Sequence, residues 1–179
     1  MAAKYRIPRL VKPVVAVMAA DEGLIDTTLS RLETELGEVE EMGAVFPFDF
    51  SSYYRDEMGP GLLKRFASFR HLQMPSFLGP LKRRTSACER MHSKPGGGRR
   101  INVDSGYWAD AKLVLASTKN YAHRIWICRR VFAELTLRYD RGRLTPLEWT
   151  YPDYKTESAL EFFGRVRKRY LQQIAGIES

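Results

Sequence analysis

The chain has 179 residues, 44% hydrophobic and 28% charged, with a formal net charge of +8. A chain of that length buries roughly 70% of its unfolded surface, so neither disulfides nor a metal is needed to hold it folded. Cys88 and Cys128 lie far apart with no Cys-x-x-Cys spacing, which speaks against a secreted framework and for reduced thiols in a cytoplasmic protein.

No stretch approaches the roughly 20 apolar residues that span a bilayer, so no membrane partner is expected. Charge is uneven. Residues 21–57 carry eleven acids against two bases, Arg31 and Arg55, a local net of −9 that leaves +17 for the rest. A basic excess attracts phosphate-rich partners such as a nucleotide or RNA. The acidic 21–57 face suits instead a basic protein partner.

Residues 1–12 form a basic N-terminal extension with Lys4, Arg6, Arg9 and Lys12. Ahead of the apolar run Val14 to Ala20 it imitates a signal peptide. The run is short and Pro8 and Pro13 interrupt the approach, so a buried strand over 14–20 is the better reading. Asp21 then caps a helix to about Glu35, with Leu24, Thr28, Leu32 and Leu36 along one stripe, and Gly37 ends it. A second strand over 40–48 completes a β-α-β opening, in which a short crossover commonly makes parallel neighbours.

Gly59-Pro60-Gly61 breaks the chain, and residues 62–73 read as a strand. Pro75 precedes a helix at about 77–92. The Gly-rich loop 93–100 follows a helix and precedes a strand, the reverse of a phosphate-binding loop, and reads as a flexible connection. From it Arg99 and Arg100 can touch a polyanion. Residues 100–104 form a strand with Asn102 and Asp104 on one face. Asp104-Ser105-Gly106 is then expected to turn into a helix over about 107–118. Strands follow at 123–128, 131–139 and 144–150, with Asp140-Arg141-Gly142-Arg143 as the hairpin turn of the last two. A helix over about 157–174 closes the chain. The sum is a single α+β domain over 1–179, around a mixed, mostly antiparallel sheet with a β-α-β opening and a C-terminal helix.

Polar groups stand among strand residues of 100–154, where burial demands a partner or a task. His123 begins a strand and shares a face with Ile125 and Ile127, while Arg124 points the other way. Histidine titrates near neutrality and suits acid–base work, although a satisfied structural histidine is the commoner case. Glu134 lies mid-strand opposite a core face of Val131, Ala133, Leu135 and Leu137. It suits proton abstraction, or an ion pair with Arg124 or Arg138. Asp104 reads as the N-cap of the helix at 107–118, or as the floor of a pocket. Lys119 would stand at that helix's negative end. Trp149, Tyr151 and Tyr154 around Pro152 and Asp153 make a packed corner or a stacking platform.

Metal signals are poor. Cys88 and His92 lie four apart on a helix, but nothing nearby completes a zinc set. Asp104, Glu134 and Asp153 suit Mg²⁺ only together with a phosphate ligand.

Several segments together resemble one bacterial family known as domain of unknown function 4416. They are 46–50 running into 53–59, then 101–107, 116–124, 133–137 and 149–154. Ser105 stands where the family tends to have proline, and Arg129-Arg130 where it has a glycine-containing turn. The resemblance implies one cytoplasmic domain and no established activity. Thr118-Lys119-Asn120-Tyr121 is similar to the guanine-specificity pattern Asn-Lys-x-Asp, but Tyr121 replaces the acid and no Walker loop precedes it, which argues against a GTPase.

Three readings follow. The first is a protein that binds a phosphorylated ligand, a nucleotide or RNA, through Tyr54, Tyr107, Lys119, Arg124, Trp149, Tyr151 and Asp153. The second is an enzyme on a small phosphorylated or nucleotide-like substrate, with His123, Glu134 and Asp104 catalytic. The third is a structural partner in a protein complex.

Overall fold

The computed structural model describes residues 7–95 and 97–178, so Lys4 and Arg6 of the basic extension and Gly96 of the Gly-rich loop lie outside the described residues. The elements in chain order are β1 (Lys12–Ala19), α1 (Glu22–Leu36), β2 (Val39–Met42), β3 (Phe46–Pro47), α2 (Ser52–Met58), β4 (Leu63–Phe69) and α3 (Leu78–Met91). Then come β5 (Ile101–Ala109), β6 (Lys112–Ser117), β7 (Ile125–Cys128), β8 (Val131–Asp140), β9 (Arg143–Pro146) and α4 (Glu157–Glu178). The strands form one sheet in the order β2-β4-β1-β5-β6-β8-β7, with β3 beside β4 and β9 beside β8.

The α+β class, the largely antiparallel sheet and the C-terminal helix agree with the sequence reading. The β-α-β opening is there in chain order, but its strands are not neighbours. β4 inserts between β1 and β2 and pairs antiparallel with both. All of the described ladders are in fact antiparallel. The expected strand over 40–48 is two strands separated by residues 43–45.

One correction matters for the site. No helix spans 107–118: β5 runs on through Ala109, turns at Asp110-Ala111 and returns as β6. Leu113 and Leu115 alternate with Val114 and Ala116 across two buried sheet faces, the period of a strand. Asp104 is therefore a mid-strand residue and caps nothing.

Helices cover both faces. α4 packs Phe162, Phe163, Val166 and Tyr170 on Val14, Ala16, Phe66 and Trp108. α1 and α3 cover the other face, where Ile25, Leu29 and Leu81 meet Val15, Val17 and Val103. Each such side chain contributes roughly 1.5–3 kcal/mol by leaving water. In β8 an extra residue, Thr136, falls between the partners of Leu113 and Val114. This bulge sends Leu137 to the α4 face while Val131 and Ala133 stay on the α3 face, so the expected single core face is divided.

Candidate functional site

The sheet splits in its middle. β5 and β6 pair only from Ala109↔Lys112 to Gly106↔Leu115. Beyond Gly106, β5 stays with β1 while Ala116 and Ser117 stay with β8. A β-carbon at Gly106 would lie 2.6 Å from the Val114 carbonyl oxygen, so glycine permits the close approach at the fork. The exposed edge of β5 is satisfied by α3. Glu89 Oε1 accepts from the Val103 amide at 2.7 Å, and Lys82 Nζ donates to the Val103 carbonyl at 2.7 Å. Lys82, Ser86 and Glu89 share one face of α3 and floor a polar cleft of about 70 Å³. Its walls include Tyr54, Arg99, Asn102, Asp104, Ser117, Lys119, Glu134 and Tyr151.

Lys64 organises one wall. It is buried on β4 and donates to Asp104 Oδ2 at 2.8 Å and Asp153 Oδ2 at 2.7 Å. Burial opposes its charge, but the two carboxylates prevail and hold its pKa above the usual lysine range. Burial likewise opposes ionisation of Asp104, and the adjacent Lys64 ammonium prevails, holding that carboxyl below its ordinary value. Arg99 grips Glu57 of α2 through two nitrogens, at 2.6 and 2.7 Å, and Asn102 Oδ1 at 2.9 Å. Lys94 donates to the Met58 carbonyl. The Gly-rich loop is thus tied to α2 at two points, and Arg99 is already engaged.

The second wall is built on Glu134. Arg124 Nε donates to Glu134 Oε2 at 2.6 Å, and its other nitrogens reach Ser117 Oγ, the Lys119 carbonyl and the Tyr151 hydroxyl. Burial disfavours the guanidinium charge, but Glu134 outweighs it and raises the Arg124 pKa. His123 Nε2 lies 3.2 Å from the same Glu134 oxygen. The ring stacks on Trp149, 5.2 Å away and 8° from parallel. Tyr121 extends the stack, and the Arg124 guanidinium lies 4.7 Å over its ring. Lys119 Nζ sits 4.3 Å over Tyr53 across the mouth. Tyr53, Tyr121, Trp149 and Tyr151 all keep a third or more of their surface exposed; Tyr151 lines the cleft itself, and the other three reach it through Lys119, Arg124 and His123.

Of the candidate residues, Tyr54, Asp104, Lys119, Glu134 and Tyr151 line the cleft. Arg124, His123 and Trp149 adjoin it through Glu134, and Asp153 stands behind Asp104 on Lys64. Tyr107 does not join them; it packs on Phe77 on the α3 face and lines a separate hollow. His123 and Arg124 precede β7 in a turn, so both reach Glu134 instead of pointing to opposite faces. Lys119 has no helix behind it and belongs to the loop after β6.

Sequence reasoning missed Lys64, Lys82 and Glu89, and it named Arg99 and Asn102 without joining them to this site. Lys64 carried the same signal as Glu134, a charge inside an apolar strand, and Lys82, Ser86 and Glu89 had helical spacing along one face. Among the described residues no group of three or more His, Cys, Asp or Glu is placed to hold a metal ion. None of the described helices is long and apolar enough to cross a membrane.

The family model for a domain of unknown function, DUF4416, matches residues 9–170. The chain belongs to that family. No curated protein matches it, and no solved structure does.

Proposed function

We propose that this protein binds a phosphorylated, nucleotide-like ligand, with a phosphate in the cleft between β5 and β6 and a base against the aromatic rim. The observation that carries the reading is the fork of the sheet. There Lys82, Lys119, Asn102 and Ser117 line one opening together with Tyr151, and Trp149 adjoins it through His123 and Glu134. Phosphate is recognised by charge-assisted hydrogen bonds, and bases by aromatic faces. A cleft of about 70 Å³ takes one phosphate group, so the rest of the ligand would lie along Tyr151 and Trp149. Asp104 and Glu134 would accept from ligand hydroxyls or amines.

The first test is mass spectrometry of what is released when protein purified quickly at low salt is denatured. A nucleotide or RNA fragment is the expected finding. Calorimetric titration with a panel of nucleoside mono- and triphosphates follows, with and without Mg²⁺. Protein that is bare after low-salt purification and silent across the panel would sink the proposal, because phosphate contacts are strongest at low salt.

A second reading rests on the His123–Glu134 hydrogen bond beside the cleft. An imidazole oriented by a carboxylate suits general acid–base chemistry on a small phosphorylated substrate. A phosphomonoester and phosphodiester panel should then show turnover that His123→Gln abolishes without loss of fold. Equal turnover in wild type and variant would rule out His123 as acid or base.

A further inference from the structure

We propose that the hollow between α3 and β7, separate from the cleft, binds a single-chain anionic amphiphile. Its hydrocarbon body would lie in the hollow and its anionic end on the surrounding arginines. The hollow measures about 680 Å³, within the roughly 300–1,000 Å³ of small-ligand sites. Leu78, Pro80, Tyr107, Ile127, Cys128 and Ala133 supply most of its wall. Gly79 forms part of the floor: a β-carbon there would lie 2.3 Å from Cys128 Sγ. The apolar strip continues outside, where Ile125 on the edge strand β7 is 73% exposed. Apolar surface left uncovered in this way marks an interaction site more often than a bare face.

Charge selects the occupant. Arg83 and Arg129 line the hollow, and no acid does. Neither they nor Arg130 has an ion-pair partner among the described residues. Arg129 and Arg130 also form the two-residue β7–β8 turn with φ of 24° and 63°, the left-handed region where glycine or asparagine is at ease. Two long cationic side chains are held there against their backbone preference, next to an apolar cavity. Such strain points towards function when, as here, the residues border a site. Among its side chains the wall offers the hydroxyls of Ser76 and Tyr107 and the Cys128 thiol besides the arginines. A hydrocarbon chain brings no amides of its own that would need partners there.

Isothermal titration calorimetry with sodium dodecanoate below its micellar concentration tests the site. Saturable one-to-one binding is expected, with dodecyltrimethylammonium at least tenfold weaker. The double variant Arg129→Gly/Arg130→Gly should lose at least tenfold in dodecanoate affinity while its thermal midpoint holds or rises, because glycine relaxes the turn. Arg83→Glu, on the exposed face of α3, should weaken binding similarly by an independent route. Equal affinity for the cationic chain, or unchanged affinity in both variants, overturns the proposal. Absence of saturable dodecanoate binding overturns it too and leaves the hollow to a protein partner.

Discussion

Lys64 and Arg124 are buried cations, Lys64 holding the buried Asp153 and the partly buried Asp104, Arg124 the buried Glu134, and this decides what their removal does. Lys64→Met leaves Asp104 and Asp153 facing each other with no cation between them. Stripping one partner from such a cluster costs about 3–5 kcal/mol, so urea denaturation should show a loss of that size. Arg124→Ala should cost a similar amount, since Glu134 is 3% exposed and loses its principal donor. The sequence groups Arg124 and Trp149 together as ligand-binding residues. The structure separates them: Arg124 is 7% exposed and Trp149 38%. Trp149→Ala should cost about 2 kcal/mol, the sum of the stack and of the indole hydrogen bond to Leu135, while weakening any base-stacking ligand. Asp104 also gives a pH prediction. Its folded pKa lies below its unfolded value of about 3.9, so its contribution is present above that pH and is lost as pH falls through the folded pKa. Chemical denaturation at stepped pH should show stability falling below about pH 4, with a shallower fall in Asp104→Asn.

The decisive element is the short hairpin of β5 and β6, which pairs over four residue couples and then opens. Gly106 stands at the fork. Gly106→Ala would drive a methyl into the Val114 carbonyl and the Leu115 side chain, at 2.6 and 2.5 Å. Overpacking of that kind costs about 1–3 kcal/mol, and thermal unfolding should register it together with a disturbed cleft. An unchanged midpoint would mean that the strands can part further at no cost. α1 obeys its sequence signals closely. Asp21 accepts from the Gly23 amide at 2.8 Å as N-cap, and Gly37 takes φ 81° at the far end. The error over 107–118 arose because Asp104-Ser105-Gly106 looks like a cap and turn locally, while pairing of β5 with β1 over its whole length overrides that preference.

Across the whole molecule the charge asymmetry is largely absorbed internally. Seven of the eleven acids in 21–57 meet bases from elsewhere in the chain: Glu22 and Asp26 on Arg65, Glu35 on Arg84, Glu38 on Arg70, Glu40 on Lys12, Glu41 on Arg165 and Arg169, and Glu57 on Arg99. An acidic face so occupied has little free charge for a basic partner. Most of these pairs are exposed and worth about 0–1 kcal/mol each, so raising salt should shift the thermal midpoint only slightly. Binding of a phosphorylated ligand, by contrast, should weaken steeply with salt. The sequence by itself determined β1, α1, the hairpin at 140–143 and α4, because caps, turn residues and apolar period are local properties. It also marked Glu134, His123 and Asp104 as polar groups needing an explanation. Only the tertiary structure decided that β4 separates β1 from β2, that β5 leaves β6 at Gly106, and that Lys64 and α3 supply the cleft's other half. Those facts depend on pairings between residues tens of positions apart, and strand alternation specifies a face without naming the neighbour.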